Sequence, residues 1–282
     1  MLNGDLGEGL ALAMRIVAAT AHVMDAATLI DITSAHIDGC LYHGTASLDF
    51  VERFVASGAQ ISVPTTLNVG SLDLIHPELF RGAASIASAG KRLMQAHIEL
   101  GCEASFTCAP YQLKHRPKKG DQIAWAESNA IVFANSVLGA RTSRYGDFLD
   151  LAAAITGRVP YAGLHVTENR AARIVIEVPD LSASAHRDAN FAALGFLLGS
   201  EAGATVAAIT GLPEDTTEDE LKALGAAAAS SGSVALFHAV GITPEAATLD
   251  EALQGRVHAL EPREAGRCAR RCQSRHAALF RR

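Results

Sequence analysis

The side chains of this sequence best suited to chemistry fall into four clusters. The first is Thr33–Cys40, with Ser34, His36 and Cys40, and the second is Pro64–Asn68, with Thr66 and Asn68. The third, Gly101–Tyr111, carries Cys102 and Cys108; the fourth, Trp125–Arg144, carries Glu127, Ser128, Asn129, Asn135, Ser136, Arg141, Thr142 and Arg144. An imidazole such as His36 serves as a general acid or base, or orients a ligand, although a lone histidine behind a strand is as often structural. Cysteines of this kind are buried small hydrophobes, reactive thiols or metal ligands. Cys102 and Cys108 stand six apart on an irregular stretch, so both can face one metal, but the spacing is no specific signature. Arg141 and Arg144 present paired donors that suit a carboxylate, or else they make surface ion pairs. Each amide or hydroxyl of the fourth cluster, taken alone, is a helix cap or a satisfied polar group; clustered beside Arg141 and Thr142, they point to a site.

The elements that must hold these residues follow from apolar spacing. Leu6, Leu10, Met14 and Val17 recur at helical intervals over residues 5–25, and Leu48 to Val55 repeat the pattern. Short apolar runs at Leu29–Ile32 and Ile61–Val63 read as strands ending in the polar loops 33–36 and 64–68. Helices are expected over 83–99, 123–138 and 149–155, with 101–120 irregular. A second unit then alternates strand 173–178, helix 188–199, strand 205–209, helix 217–229 and strand 233–237. Thr216–Glu220 has the form of a capped helix start. This β-α-β-α-β order implies a parallel sheet, and α/β folds place ligands where such strands end.

Composition closes off several classes. Hydrophobic residues are 49% and charged residues 19% of the 282, an ordinary globular balance, and the net charge of −6 gives no reason to expect a nucleic-acid partner. No apolar run reaches the ~18 residues of a membrane span. The N-terminus lacks the basic and apolar regions of a signal peptide, which assigns the chain to the cytoplasm, where disulfides rarely persist. Gly4 to Gly9 is no dinucleotide fingerprint, because no strand precedes it, and there is no Walker motif. Charge is unevenly spread. Residues 256–282 hold eight Arg and no Lys against two Glu, so the rest of the chain is strongly acidic.

Five stretches in order, SAHIDGCLYHG (34–44), VPTTLNVG (63–70), FTCAPY (106–111), AWAESNAIVFANSVLGARTSRYGD (124–147) and AAAITGRVPYAGLH (152–165), make the chain resemble the aconitase X family. That family includes cis-3-hydroxy-L-proline dehydratases and the large subunit of phosphomevalonate dehydratase, and SAHIDGCLYHG is closer to the former. The likeness runs from about Gly4 to about Gly241. It implies an α/β fold of aconitase-like large-subunit architecture with at least two α/β units, incomplete at the C-terminus. A catalytic unit is expected over 1–168, a second unit with parallel strands over 169–255, and an aberrant basic tail over 256–282.

The resemblance further implies an iron-dependent hydro-lyase acting on a small hydroxylated carboxylate, cis-3-hydroxy-L-proline first and phosphomevalonate as alternative. Hydroxide is a poor leaving group, and iron stabilises the charge developing on its oxygen. The cofactor is then iron or an iron–sulfur cluster, with Cys40, Cys102 and Cys108 as the thiols available in the matched region. His36, Glu127 and Ser128 are the implied catalytic groups. Ser34, Thr66, Asn68, Asn129, Asn135, Ser136, Arg141, Thr142 and Arg144 are the implied substrate-binding set. The partner is a small swivelling subunit or domain that closes the site. Because the likeness begins at the first residues and stops early, a third α/β portion is expected to be missing. The competing reading is therefore an inactive truncated fragment with only a binding or structural role. A cysteine nucleophile fits less well, since no Cys–His spacing stands out. The tail's abrupt change to Arg with Cys268 and Cys272 is what out-of-frame translation of GC-rich codons produces, so a frameshift is expected from about Arg256.

Overall fold

The computed structural model describes residues 1–178, 181 and 186–255. It divides the chain into two compact units, the first made of Met1–Pro117, Asp121–Ala130 and Thr142–His165, the second of 118–120, 131–141 and the chain from 166 onward. The expected frameshifted tail, with Cys268 and Cys272, lies outside the described residues. Among the described residues no helix is long and apolar enough to cross a membrane.

In the first unit, α1 (Glu8–Val23) buries Ala13, Met14, Val17 and Ala21 along one stripe. The strands β1 (Leu29–Asp31), β2 (Ala35–Ile37) and β3 (Thr65–Leu67) are each three residues long. Between and after them run α2 (Thr45–Ala56), which buries Val51 and Phe54, and α3 (Ala84–Glu99), which buries Leu93, Met94 and Ala96. Then come β4 (Ala124–Trp125), the first turn of α4 (Ser128–Phe133), whose remainder counts with the second unit, α5 (Leu149–Thr156) and β5 (Arg158–Pro160). The central sheet is parallel, in the order β3-β2-β4, with Ala35 opposite both Thr65 and Ala124. A separate antiparallel pair joins β1 to β5. Every residue of α5 from Asp150 to Thr156 is buried, and the helix ends where Gly157 takes a left-handed conformation, φ 66°. One core gathers Val17, Val51, Phe54, Leu67, Leu93, Leu151 and Ile155, each contributing about 1.5–3 kcal/mol by leaving water.

The second unit holds a parallel sheet of β6 (Ile174–Glu177), β7 (Ala207–Thr210) and β8 (Phe237–Ala239) in that order. Helices α6 (Arg187–Ala202) and α7 (Glu218–Ser231) pack on each other, and α8 (Leu249–Leu253) follows. Their approach depends on glycine: a Cβ on Gly195 would sit 2.1 Å from the Leu224 carbonyl oxygen. Thr217 and Glu220 form a reciprocal capping box that starts α7.

Several expectations shift. Residues 123–138 are not one helix: Ala124–Trp125 pairs with β2, α4 is short, and Ala134–Leu138 is a π-helical turn closed by Gly139 at φ 69°. Residues 35–37 and 65–67, read as polar loops, are strands, whereas Ile61–Val63 is not one. The polar residue types masked pairing set by the buried register. β5 was legible only as a helix stop, and β8 begins four residues later than its apolar run suggests.

Candidate active site

The three parallel strands all point their C-terminal ends to the same edge, and the residues just past those ends are acids and amides. Ile37 is followed by Asp38, Leu67 by Asn68, and Trp125 by Ala126 and Glu127. The pairing continues past the strands, since Asn68 N–H donates to the Ile37 carbonyl at 2.8 Å and Ala126 N–H to His36 at 3.3 Å. Alternation then puts Asn68, Asp38 and Glu127 on the face that carries Thr66, His36 and Trp125. The Asn68 amide donates to Asp38 Oδ1.

Each carboxyl is held. The Glu127 carboxylate caps α4, accepting the Ala130 N–H at 2.8 Å and a bond from the Asn129 amide. Ser128 Oγ, exposed at the start of the helix, donates to Glu127 Oε1 at 3.4 Å. Asn129 also donates to the Cys108 carbonyl at 3.1 Å and accepts from the Tyr111 hydroxyl at 3.1 Å. The irregular stretch 103–108 is thereby fastened to the head of α4. Its other side runs beside β3, with Ser105 Oγ bridging Leu67 N and O and Phe106 at a left-handed φ of 41°. Burial raises the carboxyl pKa of both Asp38 and Glu127; Asp147 pushes Asp38 further and Asp38 pushes Glu127 further. Burial thus favours the neutral form of both carboxyls, and the charge of Asp38 adds to that effect at Glu127.

Beneath them lies Asp150, fully buried in the first turn of α5. Its Oδ2 accepts the Asp38 N–H at 2.9 Å and its Oδ1 the Leu151 N–H at 2.7 Å. Burial pushes its pKa up to about 7 against those two bonds. Neither Asp38 nor Asp150 stood out in the sequence. Asp38 lies inside the stretch SAHIDGCLYHG, and an acid among the apolar residues of Leu149–Thr156 is the available signal for Asp150.

Cys40 and Cys102 are buried near one another and near Asp150; burial raises both thiols, Cys102 to about 12. Cys108 is exposed. Among the described residues no three His, Cys, Asp or Glu side chains are grouped to hold a metal ion. A metal deprotonates the thiols it binds, so this burial describes the free thiols; the described residues do not by themselves complete an iron ligand set. His36 is fully buried, its Nδ1 is 2.8 Å from Thr66 Oγ1, and burial lowers its pKa to about 3, so it is neutral at ordinary pH and no cationic acid. Ser34 precedes β2, at the opposite end from Asp38. Thr142 is buried and its Oγ1 accepts the Trp125 N–H at 3.1 Å, pinning β4. Arg144 is exposed in the first unit.

Asn135, Ser136 and Arg141 belong to the second unit. Asn135 donates to the Ala235 carbonyl at 3.0 Å and Ser136 Oγ accepts the Phe237 N–H at 2.9 Å, both tying the π turn to the start of β8. Arg141 donates to Thr167 Oγ1 at 2.7 Å and lies 3.9 Å from Glu245. The guanidinium that sequence reading missed is Arg170, 1% exposed, bonded to Glu245 at 2.6 Å and to Asn135 Oδ1 at 3.0 Å.

Comparison with known proteins bears on both units. Residues 1–168 match the family model described as "Aconitase X first domain" and 172–267 the one described as "Aconitase X second domain". A cis-3-hydroxy-L-proline dehydratase of Pseudomonas aeruginosa is 47% identical over 257 residues, 91% of this chain but 44% of that protein. A phosphomevalonate dehydratase large subunit of Methanothermobacter thermautotrophicus is 40% identical over 250 residues, 87% of this chain and 61% of that one. The crystal structure of Thermococcus kodakaraensis aconitase X in its holo-form superposes with a TM-score of 0.79 at 39% identity, covering 88% of this chain and 61% of that chain. The chain thus spans about half the length of the curated relatives it matches most strongly.

Proposed function

The chain belongs to the aconitase X family, and from that premise we propose that it supplies the large-subunit part of a hydro-lyase that removes water from a small hydroxylated carboxylate. The substrate is cis-3-hydroxy-L-proline, the compound in the name of the bacterial relative. The observation that carries the reading is the Asn68–Asp38–Glu127 row, where two carboxyls of raised pKa stand at the C-terminal edge of a parallel sheet. Elimination needs a base and an acid at once. The ionised member of the pair takes the proton from the carbon next to the carboxylate. The electrons of that C–H bond form the double bond, the C–O bond breaks, and the protonated member delivers its proton to the departing hydroxide, giving water. Which carboxyl holds the proton is a property of the pair. Asn68 and Asn129 fix the two groups, Ser128 bonds to Glu127, and Arg144 of the same unit is the guanidinium offered to the substrate carboxylate.

For the complete enzyme this reading includes an iron or iron–sulfur cofactor, to which Cys40, Cys102 and Cys108 would be the thiols offered and which would supply Lewis-acid chemistry when bound. The described residues do not complete a ligand set for it, and the proton steps above are assigned to the chain's own carboxyls. A small subunit or domain that closes the site is the proposed partner, in keeping with relatives named large subunits.

The test is dehydration of cis-3-hydroxy-L-proline and of phosphomevalonate, measured side by side with the chain alone and with a family small subunit added. Turnover of the hydroxyproline above that of phosphomevalonate is expected. Turnover of phosphomevalonate alone overturns the substrate, and turnover of neither under any combination overturns the activity in favour of a binding or structural role.

A further inference from the structure

Across the parallel sheet, one residue of each strand forms a row: Thr66 on β3, His36 on β2 and Trp125 on β4, with His36 in register with both. Thr66 Oγ1 and His36 Nδ1 occupy each other at 2.8 Å. The row's two remaining ring nitrogens, His36 Nε2 and Trp125 Nε1, are the buried side-chain polar atoms without a hydrogen-bond partner among the described residues. Their rings meet edge-on with centroids 6.1 Å apart. That the two orphans are neighbours in register is informative. Each alone costs about 1–3 kcal/mol if left dry, and a single bound molecule between them removes both costs.

The chemistry of that molecule follows from the two nitrogens. An indole nitrogen only donates; a neutral imidazole whose Nδ1–H donates to Thr66 presents Nε2 as an acceptor. With Nδ1–H donating to Thr66 the bridging group accepts from the indole and donates to Nε2, and with Thr66 donating to Nδ1 it accepts from both; the oxygen of one hydroxyl serves in either case. Two hydrogen bonds of ~2.9 Å through one oxygen reach across up to ~5.8 Å, and the two residues that carry the nitrogens are neighbours in register. Both residues are at most 2% exposed, which favours the smallest hydroxyl. We propose that a resident water molecule is bound between Trp125 Nε1 and His36 Nε2. It sits on the face of the sheet that carries Asp38, Asn68 and Glu127 two residues further along the same strands, and it helps fix the row on which those residues stand. The inference does not depend on the reaction assigned above.

Trp125 is the chain's single tryptophan, so its indole N–H gives one unambiguous resonance. In the full chain, deuterated and labelled at tryptophan nitrogen, a water-selective magnetisation-transfer experiment should show a long-lived water cross-peak to that proton with no ligand added. Contacts to protein protons alone overturn the site, and so does a hydroxyl cross-peak that appears only with an added hydroxylated carboxylate. A second measurement reads the coupling. If one water serves both nitrogens, the melting-temperature losses of His36→Leu and Trp125→Phe should be non-additive, with the double variant falling by less than the two losses combined. Strict additivity overturns a shared molecule.

Discussion

Replacing Asp150 by asparagine should make the protein more resistant to unfolding at pH 8 than at pH 5, relative to the unaltered chain. Asp150 is fully buried and holds its proton up to about pH 7, against an ordinary value of 3.8. The unfolded chain ionises this group from pH 3.8 upward while the folded chain resists. The stability it contributes is therefore fully present below pH 3.8, declines as pH rises, and is gone above about pH 7. Over roughly 3 pH units at ~1.4 kcal/mol each, the loss is about 4 kcal/mol. Asparagine does not ionise, so it escapes this loss. It also forfeits one bond, because a single amide oxygen cannot serve both the Asp38 and Leu151 N–H groups as the two carboxylate oxygens do, at a pH-independent cost of about 1–3 kcal/mol. Comparing two pH values cancels that fixed cost. Between pH 5 and pH 8 the Asp150→Asn variant should gain on the parent by about 2–3 kcal/mol, or some 4–12 °C in melting temperature for a chain of this size. Thermal unfolding followed by circular dichroism at both pH values measures it. Parallel profiles with a constant offset would refute the idea that a neutral carboxyl is held beneath the site.

Three further outcomes are expected. Glu127→Gln should lower kcat for dehydration by about 10²–10⁴ with little change in melting temperature, since the amide still caps α4; unchanged steady-state kinetics would remove Glu127 from proton transfer. Arg170→Ala should cost about 3–5 kcal/mol in urea unfolding, because Glu245 and the carbonyls of Asn135 and Ala140 lose a buried cation; a loss below 1 kcal/mol would mark the pair as dispensable. His36 and His97 are held neutral by burial, with values near 3 and 4, so the stability they contribute is lost as pH falls below 6.5. Each takes ~1.4 kcal/mol per pH unit, opposing the gain from Asp150, and the acid loss should be steeper in the Asp150→Asn variant.

Much of this was legible in the sequence and some was not, for identifiable reasons. Long amphipathic helices such as α1, α3 and α7 repeat apolar residues often enough to reveal themselves, and β6 and β7 carry β-branched or small apolar runs. The site strands do not. β2 reads Ala-His-Ile and β3 Thr-Thr-Leu, and three residues with a polar member in the middle look like loop until their partners are known. Asn135 and Ser136 looked like a polar wall because nothing in sequence shows that a π turn aims them at the backbone before β8. Arg170 stood beside no motif, and its partner Glu245 is 75 positions away. Local pattern cannot anticipate such a pair.

The brevity of β2 has a consequence for how such a protein can vary over generations. Its three residues are all buried and each is registered against a neighbour on either side or just beyond. Because side chains alternate from face to face, adding or deleting one residue between Ser34 and His36 would turn His36 and Asp38 together to the opposite face, undoing the histidine's bond to Thr66 and the aspartate's bond to Asn68. Substitutions there can be compensated one neighbour at a time; changes of length cannot. The exposed stretch from Leu74 to Leu79 carries no such constraint, so insertions should accumulate in the chain between β3 and α3 while the six residues around β2 keep a fixed count.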